Sequence, residues 1–549
     1  MADDELQRSS AGGGPVAGAE ALDEDTRKLH ELGYAQVLDR RMSAFSNMAI
    51  SFTIISILSG CLTVYQYGLL HGGPPVINWG WLGVGVIVLF VGMSMGEICS
   101  AYPTAGGLYY WAARLAPGNS APVWSWFTGW FNLLGQIAVT AGISFGCAYS
   151  VSAFIAEASG DAFWTKRSVI IAILFVVLAI QGILNTFNVR LVALLNDVSV
   201  WWHLIGVAII FIVLFWAPAD TAVRHSASFM FGGEGWATFK GLSGFTIPLF
   251  VILLGMLNAQ YTFTGYDASA HVSEETLSAN RAAANGIVQS IYLSLIAGFI
   301  LLVAVSYALP VKSTFAGVTY NSLQELTASY TPWANAFVAQ GGRGLGLFLI
   351  FIVMIAQFFC GMSSITANSR MIFAFSRDGA VPAAKYWHHV NPKRRVPVRS
   401  AWFGAVGAFI LSVWYIWSPV AYFAVVSIAV IGLYIAYLTP VFLRRINAKE
   451  FEPNKGPWRL PKALSPWINW IAIIWVVLIV VVFCLPQYSP VTLATFNFTP
   501  VAVVAVIGFA GIWWAVSARK WFKGPKIEGS AEELAEIEKE LSQFDELDK

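Results

Sequence analysis

Two long apolar stretches of the sequence are each interrupted by a short run of polar residues that includes a glycine. The first run is SILSGC, residues 56–61, and the second is NAQYTFTG, residues 258–265. Such runs let a helix unwind, and unwound backbone inside a membrane is tolerated only where it lines a cavity within the protein. Close helix packing is the alternative, because Gly and Ser are also common where membrane helices touch.

Backbone groups at such a break could bind a small zwitterion. If the first run unwinds, a new helix starts there, and we expect its free N–H groups at Ser59, Gly60 and Cys61 to bind a carboxylate at the positive helix end. Carbonyl groups near Ser56 and Asn258 would then accept hydrogen bonds from an ammonium group. The pattern therefore predicts recognition of both ligand charges without a charged side chain.

Polar side chains add candidates to this site. Tyr261, Thr262 and Phe263 of the second run are predicted to line the cavity, with ordinary helix packing as the alternative. Gln136 belongs to a stripe with Asn132 and Thr140, spaced by four residues on one helix face. Because polar stripes of membrane helices should face the protein interior, we expect Gln136 to contact the ligand. Hydrogen bonds between helices would explain the stripe equally well.

The composition indicates the elements that must hold these residues. Of the 549 residues, 57% are hydrophobic and only 12% are charged, against about 25% charged residues in soluble domains. Apolar runs of about 20 residues recur, each long enough to cross ~30 Å of hydrocarbon as a helix. The predicted spans are 44–71, 76–100, 122–157, 168–187, 190–217, 245–273, 285–309, 345–375, 400–416, 419–443, 466–485 and 498–518.

The loops between the spans predict an orientation. Residues 1–43 and 519–549 form polar tails around a membrane domain at 44–518. Only six of the 33 Lys and Arg residues fall in loops on the side opposite the tails. By the positive-inside rule, both termini are therefore predicted to be cytoplasmic.

Several functional classes are excluded by what the sequence lacks. The net charge is +2 with no basic face, which argues against binding to nucleic acid. The five cysteines show no CxxC spacing, and HExxH and GxSxG are absent, so we predict no metal, no cofactor and no enzyme activity. No phosphate-binding loop is present to support a nucleotide-driven pump. A gradient-driven carrier remains, with a channel as the alternative.

Three segments resemble signatures of the amino acid–polyamine–organocation (APC) superfamily. They are GEICSAYPTAGGLYYW at 96–111, FTGYDASAHVSEET at 263–276 and ANSRMIFAFSRDGAVP at 367–382. The segments SFTIISILSG at 51–60, GGPPVINWGW at 72–81 and DASAHVSEET at 267–276 are similar to its amino acid/choline transporter branch, which includes GABA permeases.

This resemblance implies an all-α, leucine-transporter-like fold. It has an inverted repeat of five plus five helices, two further helices, and breaks in helices 1 and 6. It implies a permease of the cell membrane that carries a small amino acid, such as GABA or another neutral amino acid, by alternating access. Choline or polyamine transport and amino acid exchange remain alternatives. Phe263 falls near the aromatic gate of the family.

The resemblance also points to a site for the coupling ion. Asn196, Ser199, His203 and Gly206 share one face of the fifth span, where many proton-coupled relatives have a lysine. An imidazole exchanges a proton near neutral pH, so we predict that His203 couples transport to protons, near Ser363 and Ser364 of the eighth span. A neutral core histidine is the alternative, as is sodium bound by the two serines.

Acidic residues near the span ends are given structural roles. Glu97, Glu274 and Glu275 are predicted to pair with Arg40, Arg41 or Arg114 on the cytoplasmic side. Asp267 starts the second half of the sixth span and is interpreted as a helix cap.

Overall fold

The computed structural model describes residues 24–187, 189–216, 223–329, 331–418, 420–526, 529, 533–534 and 536–539. Within these ranges, eleven helices are long and apolar enough to cross a membrane, and a shorter apolar helix occupies Pro248–Thr262. The chain is therefore an all-α membrane protein, as its apolar runs predict. Residues 1–23 and most of the C-terminal tail beyond Lys526 lie outside the described residues.

The first five spans are built from helices α2 to α9, after a short helix in the N-terminal tail. The bounds are α1 Glu24–Glu31, α2 Ala44–Ile55, α3 Ile57–Thr63, α4 Tyr65–Leu70, α5 Pro74–Ala101, α6 Leu108–Leu115, α7 Ala121–Ser159, α8 Arg167–Leu184 and α9 Val189–Trp216.

The sixth to eighth spans follow, with a small hairpin in a loop. The bounds are α10 Ala227–Phe231, α11 Gly233–Phe239, α12 Pro248–Gly255, α13 Leu257–Thr262, α14 Ala268–His271, α15 Ala279–Tyr307, β1 Ser313–Phe315, β2 Val318–Tyr320, α16 Leu323–Ala328 and α17 Pro332–Arg377. Strands β1 and β2 pair antiparallel, with Thr314 opposite Thr319.

The last four spans are α19, α20, α22 and α23. The bounds are α18 Ala384–Trp387, α19 Val398–Ser412, α20 Ala421–Ile446, α21 Ala448–Phe451, α22 Ser465–Cys484, α23 Thr499–Trp513 and α24 Arg519–Trp521.

Burial separates the core of the bundle from its lipid-facing rim. In the most apolar window of the first span, 94% of the residues are buried inside the protein, against 11% in the window of the last span. The first span is therefore surrounded by other helices, whereas the last lies at the edge. The central position of the first span is what a broken helix requires, since lipid cannot satisfy its free backbone groups.

One end of the bundle, which we call the N-terminal face, is covered by the residues before α2. The N–H of Met42 donates to the Glu275 carbonyl (2.8 Å), and the N–H of Leu277 donates to the Met42 carbonyl (2.9 Å). A carboxylate oxygen of Glu538 lies 2.8 Å from Nε2 of His30. The described parts of both tails therefore lie on this face.

Buried ion pairs close the N-terminal face. Arg370 makes two hydrogen bonds to the carboxylate of Glu275, at 2.8 and 2.9 Å. Both side chains are almost completely buried. Removal of one partner from such a pair is costly because the remaining charge is left without compensation.

The predicted partners of the three glutamates are wrong, although each glutamate is paired. Their partners come from α17, α20 and the loop after α21, and the pairs are Glu275–Arg370, Glu274–Arg377, Glu97–Arg444 and Glu97–Lys455. The three arginines we proposed instead contact Asp25, Asp39 and the ring of Tyr102, in the pairs Arg40–Asp25, Arg41–Asp39 and Arg114–Tyr102.

Candidate functional site

The first span is interrupted at Ser56, between α2 and α3. Its backbone is left-handed (φ 39°, ψ 82°), which is uncommon for a residue other than glycine. The Ser56 carbonyl accepts from the N–H groups of Ser59 and Gly60, both at 2.8 Å. These two amides are therefore not free, contrary to our expectation, and Cys61 lies a full turn inside α3. At a helix start, the donors left over are the first amides, here those of Ile57 and Leu58.

His203 of α9 contacts this interruption directly. Its Nε2 lies 2.7 Å from the hydroxyl oxygen of Ser56, and its Nδ1 lies 2.7 Å from the Ser199 carbonyl oxygen. The side chain is fully buried. Because a carbonyl only accepts, Nδ1 carries the hydrogen, and when the imidazole is neutral the Ser56 hydroxyl donates to Nε2.

The two serines of the eighth span meet different partners. The Ser363 hydroxyl donates to the side-chain oxygen of Asn196, two turns before His203 on α9. The Ser364 and Thr140 hydroxyl oxygens lie 2.7 Å apart. The structure therefore brings Ser363 to α9 and Ser364 to α7, rather than placing both beside His203.

The sixth span is interrupted later than the sequence suggests. Residues 257–262 are helical, and the non-helical segment runs from Phe263 to Asp267, with Gly265 at a φ of 84° that favours glycine. The predicted break began at Asn258. The hydroxyl of Tyr434 donates to the Phe263 carbonyl at the start of the segment.

The two interrupted spans contact each other closely. The Asn258 side-chain amide donates to the Cys61 carbonyl at 3.2 Å. A Cβ atom added to Gly60 would lie 2.6 Å from the Thr262 hydroxyl oxygen, so only glycine fits there. Phe263 stacks on Trp81 of α5, with ring centroids 4.3 Å apart, which is the position of a packing residue.

Several buried polar groups next to these spans have no hydrogen-bond partner among the described residues. They are the Tyr261 hydroxyl, the Asn258 side-chain oxygen and both amide atoms of Gln357. Tyr261 and Gln357 face successive turns of α7, at Gly142 and Gly146. Buried polar groups normally find partners, so an unpaired set indicates room for a polar ligand or water.

Two neighbouring cavities lie toward the face opposite the termini. The larger has a volume of about 520 Å³ and includes Tyr149 and Thr331 in its lining. A smaller cavity of about 20 Å³ shares these two residues and reaches Thr63 and Tyr422. The structure is thus more open toward this face than toward the closed N-terminal face.

Asp267 occupies the position before α14 where a capping residue is expected, but its side chain makes no capping bond. Its carboxylate instead accepts from Gln136 (2.8 Å) and the Tyr437 hydroxyl (2.7 Å), and lies 3.1 Å from Nε2 of His271. Gln136 is therefore bound to protein in this state. The sequence did not lead us to predict Tyr434 and Tyr437 of α20 as site residues, because its only signal there is a pair of tyrosines three residues apart.

Comparison with known proteins places the chain in a family. The family model for amino acid permeases matches residues 42–509. The chain is 41% identical over 520 residues to amino-acid permease BAT1 of Arabidopsis thaliana, covering 93% of this chain and 98% of that protein. It is 39% identical over 524 residues to the BAT1 homolog of Oryza sativa, with the same two coverages.

A more distant relative is the GABA-specific permease of Saccharomyces cerevisiae. It is 29% identical over 547 residues, which cover 96% of this chain and 91% of that protein. The chain belongs to the amino acid permease family of the APC superfamily.

Proposed function

We propose that this permease carries a small zwitterionic amino acid, such as GABA or another neutral amino acid, by alternating access. The observation that carries the proposal is the left-handed break at Ser56, held against the sixth span and next to unpaired polar groups. A relative named a GABA-specific permease supports this class of solute.

The ligand carboxylate is proposed to bind at the start of α3. The N–H groups of Ile57 and Leu58, with the positive helix end, supply the donors. Ser59, Gly60 and Cys61 are proposed to shape this turn and not to donate hydrogen bonds to the ligand. This differs from the sequence-based assignment by one or two residues, because the carbonyl of Ser56 already takes the next two amides.

The ligand ammonium is proposed to bind the unpaired acceptors opposite α3. These are the Asn258 side-chain oxygen, the Gln357 side-chain oxygen and the Tyr261 hydroxyl. These three acceptors belong to neutral side chains. A polyamine would need compensating carboxylates, so it is a weaker candidate, and choline would leave the α3 amides without a partner.

Protons are proposed to drive transport through His203. In the neutral state, the Ser56 hydroxyl donates to Nε2. On protonation, Nε2 becomes a donor, so the hydroxyl hydrogen of Ser56 is released to bond to another acceptor, such as the ligand carboxylate. Proton binding would thereby favour ligand binding at the same break. The alternative is that a sodium ion bound by Ser363 and Ser364 drives transport.

The N-terminal face is proposed to be cytoplasmic and the protein to lie in the plasma membrane. In that orientation, the cavity at Tyr149 and Thr331 opens to the outside, and the Arg370–Glu275 pair closes the inside. The structure then corresponds to a state open toward the extracellular solution.

Counterflow of radiolabelled amino acids tests the proposal. Purified protein is reconstituted in vesicles preloaded with one unlabelled amino acid, and uptake of a labelled neutral amino acid or GABA is followed. Saturable uptake that requires internal substrate is expected. Linear uptake independent of internal substrate would indicate a channel, and no uptake of any amino acid would refute the assigned solute class.

A further inference from the structure

A second histidine, His271, lies beside Asp267 inside the bundle, with Nε2 3.1 Å from Oδ2, and both side chains are fully buried. We propose that this pair is a second proton-binding site, which moves a proton during the transport cycle and links the break in the sixth span to closure of the N-terminal face. The inference rests on the proposed proton-coupled transport and goes beyond the role of His203.

Hydrogen-bond geometry allows one proton to lie between the two side chains. Nδ1 of His271 lies 2.9 Å from the Ala105 carbonyl oxygen, so it must carry a hydrogen. Nε2 lies 3.1 Å from Oδ2 of Asp267, and this contact is a hydrogen bond only if one of the two atoms is also protonated. Imidazolium with carboxylate and imidazole with carboxylic acid are the two arrangements of that proton.

The neighbouring side chains can also form hydrogen bonds with the pair after the proton has left. The side-chain nitrogen of Asn132 lies 3.3 Å from Nε2 and can donate to the neutral imidazole. Gln136 and Tyr437 continue to donate to the carboxylate at 2.8 and 2.7 Å. Each protonation state therefore retains hydrogen bonds on both side chains, and after the proton has left, the buried Asp267 carboxylate is stabilised by two neutral donors, Gln136 and Tyr437.

Hydrogen bonds link Asp267 to the break in the sixth span. The N–H of Gly265, within the non-helical segment, donates to the Tyr437 hydroxyl at 3.2 Å, and that hydroxyl donates to Asp267. A change in the charge of Asp267 therefore acts directly on the partner that holds the unwound backbone.

Hydrogen bonds link His271 to the closed N-terminal face. The Ala105 carbonyl binds His271, and the Ala105 N–H donates to the Glu274 carboxylate at 2.9 Å. Glu274 is paired with Arg377. Proton release from His271 changes the contact that holds residues 102–107 against the end of the sixth span.

The remaining charged and titratable groups near the pair are already compensated or neutral. From α17, Arg370 and Arg377 are paired with Glu275 and Glu274, respectively. The ring of Tyr437 contacts the ring of Tyr434, also in α20, and the ring of Tyr266. Helix α2 contains no titratable residue, and Arg281 at the start of α15 is exposed. Among the described residues, Asp267 and His271 thus have no charged hydrogen-bond partner except each other.

Replacement of each member tests the proposal in reconstituted vesicles. Asp267→Asn and His271→Gln keep the size and polarity of the side chains but cannot exchange the proton. The matched control is His225→Gln, in the loop before α10, where burial lowers the pKa of the imidazole and Nε2 meets the Leu309 carbonyl. Two readouts are compared: counterflow, which needs no driving ion, and accumulation driven by an imposed pH gradient.

If the same proton passes both His203 and this pair, one proton moves per cycle, and a gradient of one pH unit drives about tenfold accumulation in wild type and in His225→Gln. The proposal predicts that Asp267→Asn and His271→Gln retain counterflow but lose accumulation, so that the ratio falls to about one. Wild-type accumulation in both variants would overturn the proposal and leave the proposed function standing. Loss of counterflow in both would assign the pair a structural role and also overturn it.

Failure of the proposed function gives a different result. Wild-type protein that exchanges amino acids but does not respond to a pH gradient would refute proton coupling, and this inference with it. Wild-type protein without counterflow would refute amino acid transport itself.

Discussion

Nε2 of His203 lies 2.7 Å from the hydroxyl oxygen of Ser56, the left-handed residue at which the first span breaks. A titratable group thus touches the backbone feature that we assign to carboxylate binding. The contact joins α9 to the break, so a change in protonation acts where the ligand is proposed to bind.

The first prediction concerns this contact. His203→Gln should retain counterflow but lose accumulation driven by a pH gradient, because the amide cannot take up a proton. Ser199→Ala is the matched control, since the backbone carbonyl that holds Nδ1 remains. Accumulation in a sodium gradient alone, or unchanged pH-driven accumulation in His203→Gln, would contradict the assignment.

The second prediction concerns the close approach of the first and sixth spans. Gly60→Ala should reduce transport about five- to hundredfold, because the new Cβ would lie 2.6 Å from the Thr262 hydroxyl oxygen, and overpacking costs about 1–3 kcal/mol. Gly60→Val should abolish transport. Initial uptake rates are measured at equal amounts of inserted protein.

Two further variants control this experiment. Thr262→Ala removes the two atoms nearest to the added Cβ and should partly restore transport by Gly60→Ala. Gly83→Ala should have no effect, because nothing lies within 4 Å of a Cβ added there. Normal transport by Gly60→Val would refute the site.

The third prediction concerns an unpaired hydroxyl. Tyr261→Phe should leave thermal stability unchanged, since that hydroxyl has no partner in the described part of the chain. It should raise the KM about two- to tenfold, the equivalent of about 0.5–1.5 kcal/mol for one hydrogen bond to the ligand. Tyr65→Phe, whose hydroxyl lies 2.9 Å from that of Ser306, should instead lower stability. An unchanged KM in Tyr261→Phe would remove Tyr261 from the site.

The fourth prediction concerns orientation. The thiol of Lys166→Cys should react with an impermeant reagent in intact cells, and that of Lys449→Cys only after lysis, because the two exposed positions lie on opposite faces. Cys484 is only partly buried, so it is first replaced by Ser. The reverse pattern of labelling would invert the proposed topology.

Features set by local sequence and by the bilayer were predictable. Twelve apolar runs predicted the spans because hydrocarbon thickness fixes their length. The run SILSGC marked the break in the first span to within its own length. The predicted start of the eighth span, at 345, agrees with a kink within α17 at Gly342, whose backbone is not helical (φ 71°, ψ 171°).

Features that depend on tertiary contacts were not predictable. The sequence shows that Asp267 starts a helical segment, but its partners Gln136 and Tyr437 come from α7 and α20, more than 100 residues away. The same holds for Glu275, whose arginine lies in α17. A single sequence carries no signal for such pairs, so a helix cap and arginines on the same predicted side of the membrane were the nearest explanations.

The central claim, that the break at Ser56 recognises the carboxylate of a zwitterion, is tested most directly by competition. Uptake of a labelled substrate amino acid into vesicles is measured against its unlabelled form and against the amine formed by its decarboxylation. We predict that the amino acid competes fully and that the amine competes at least about tenfold more weakly, because the α3 amides lose their partner. Equal competition by the amine would contradict the claim and favour a site for cations such as choline.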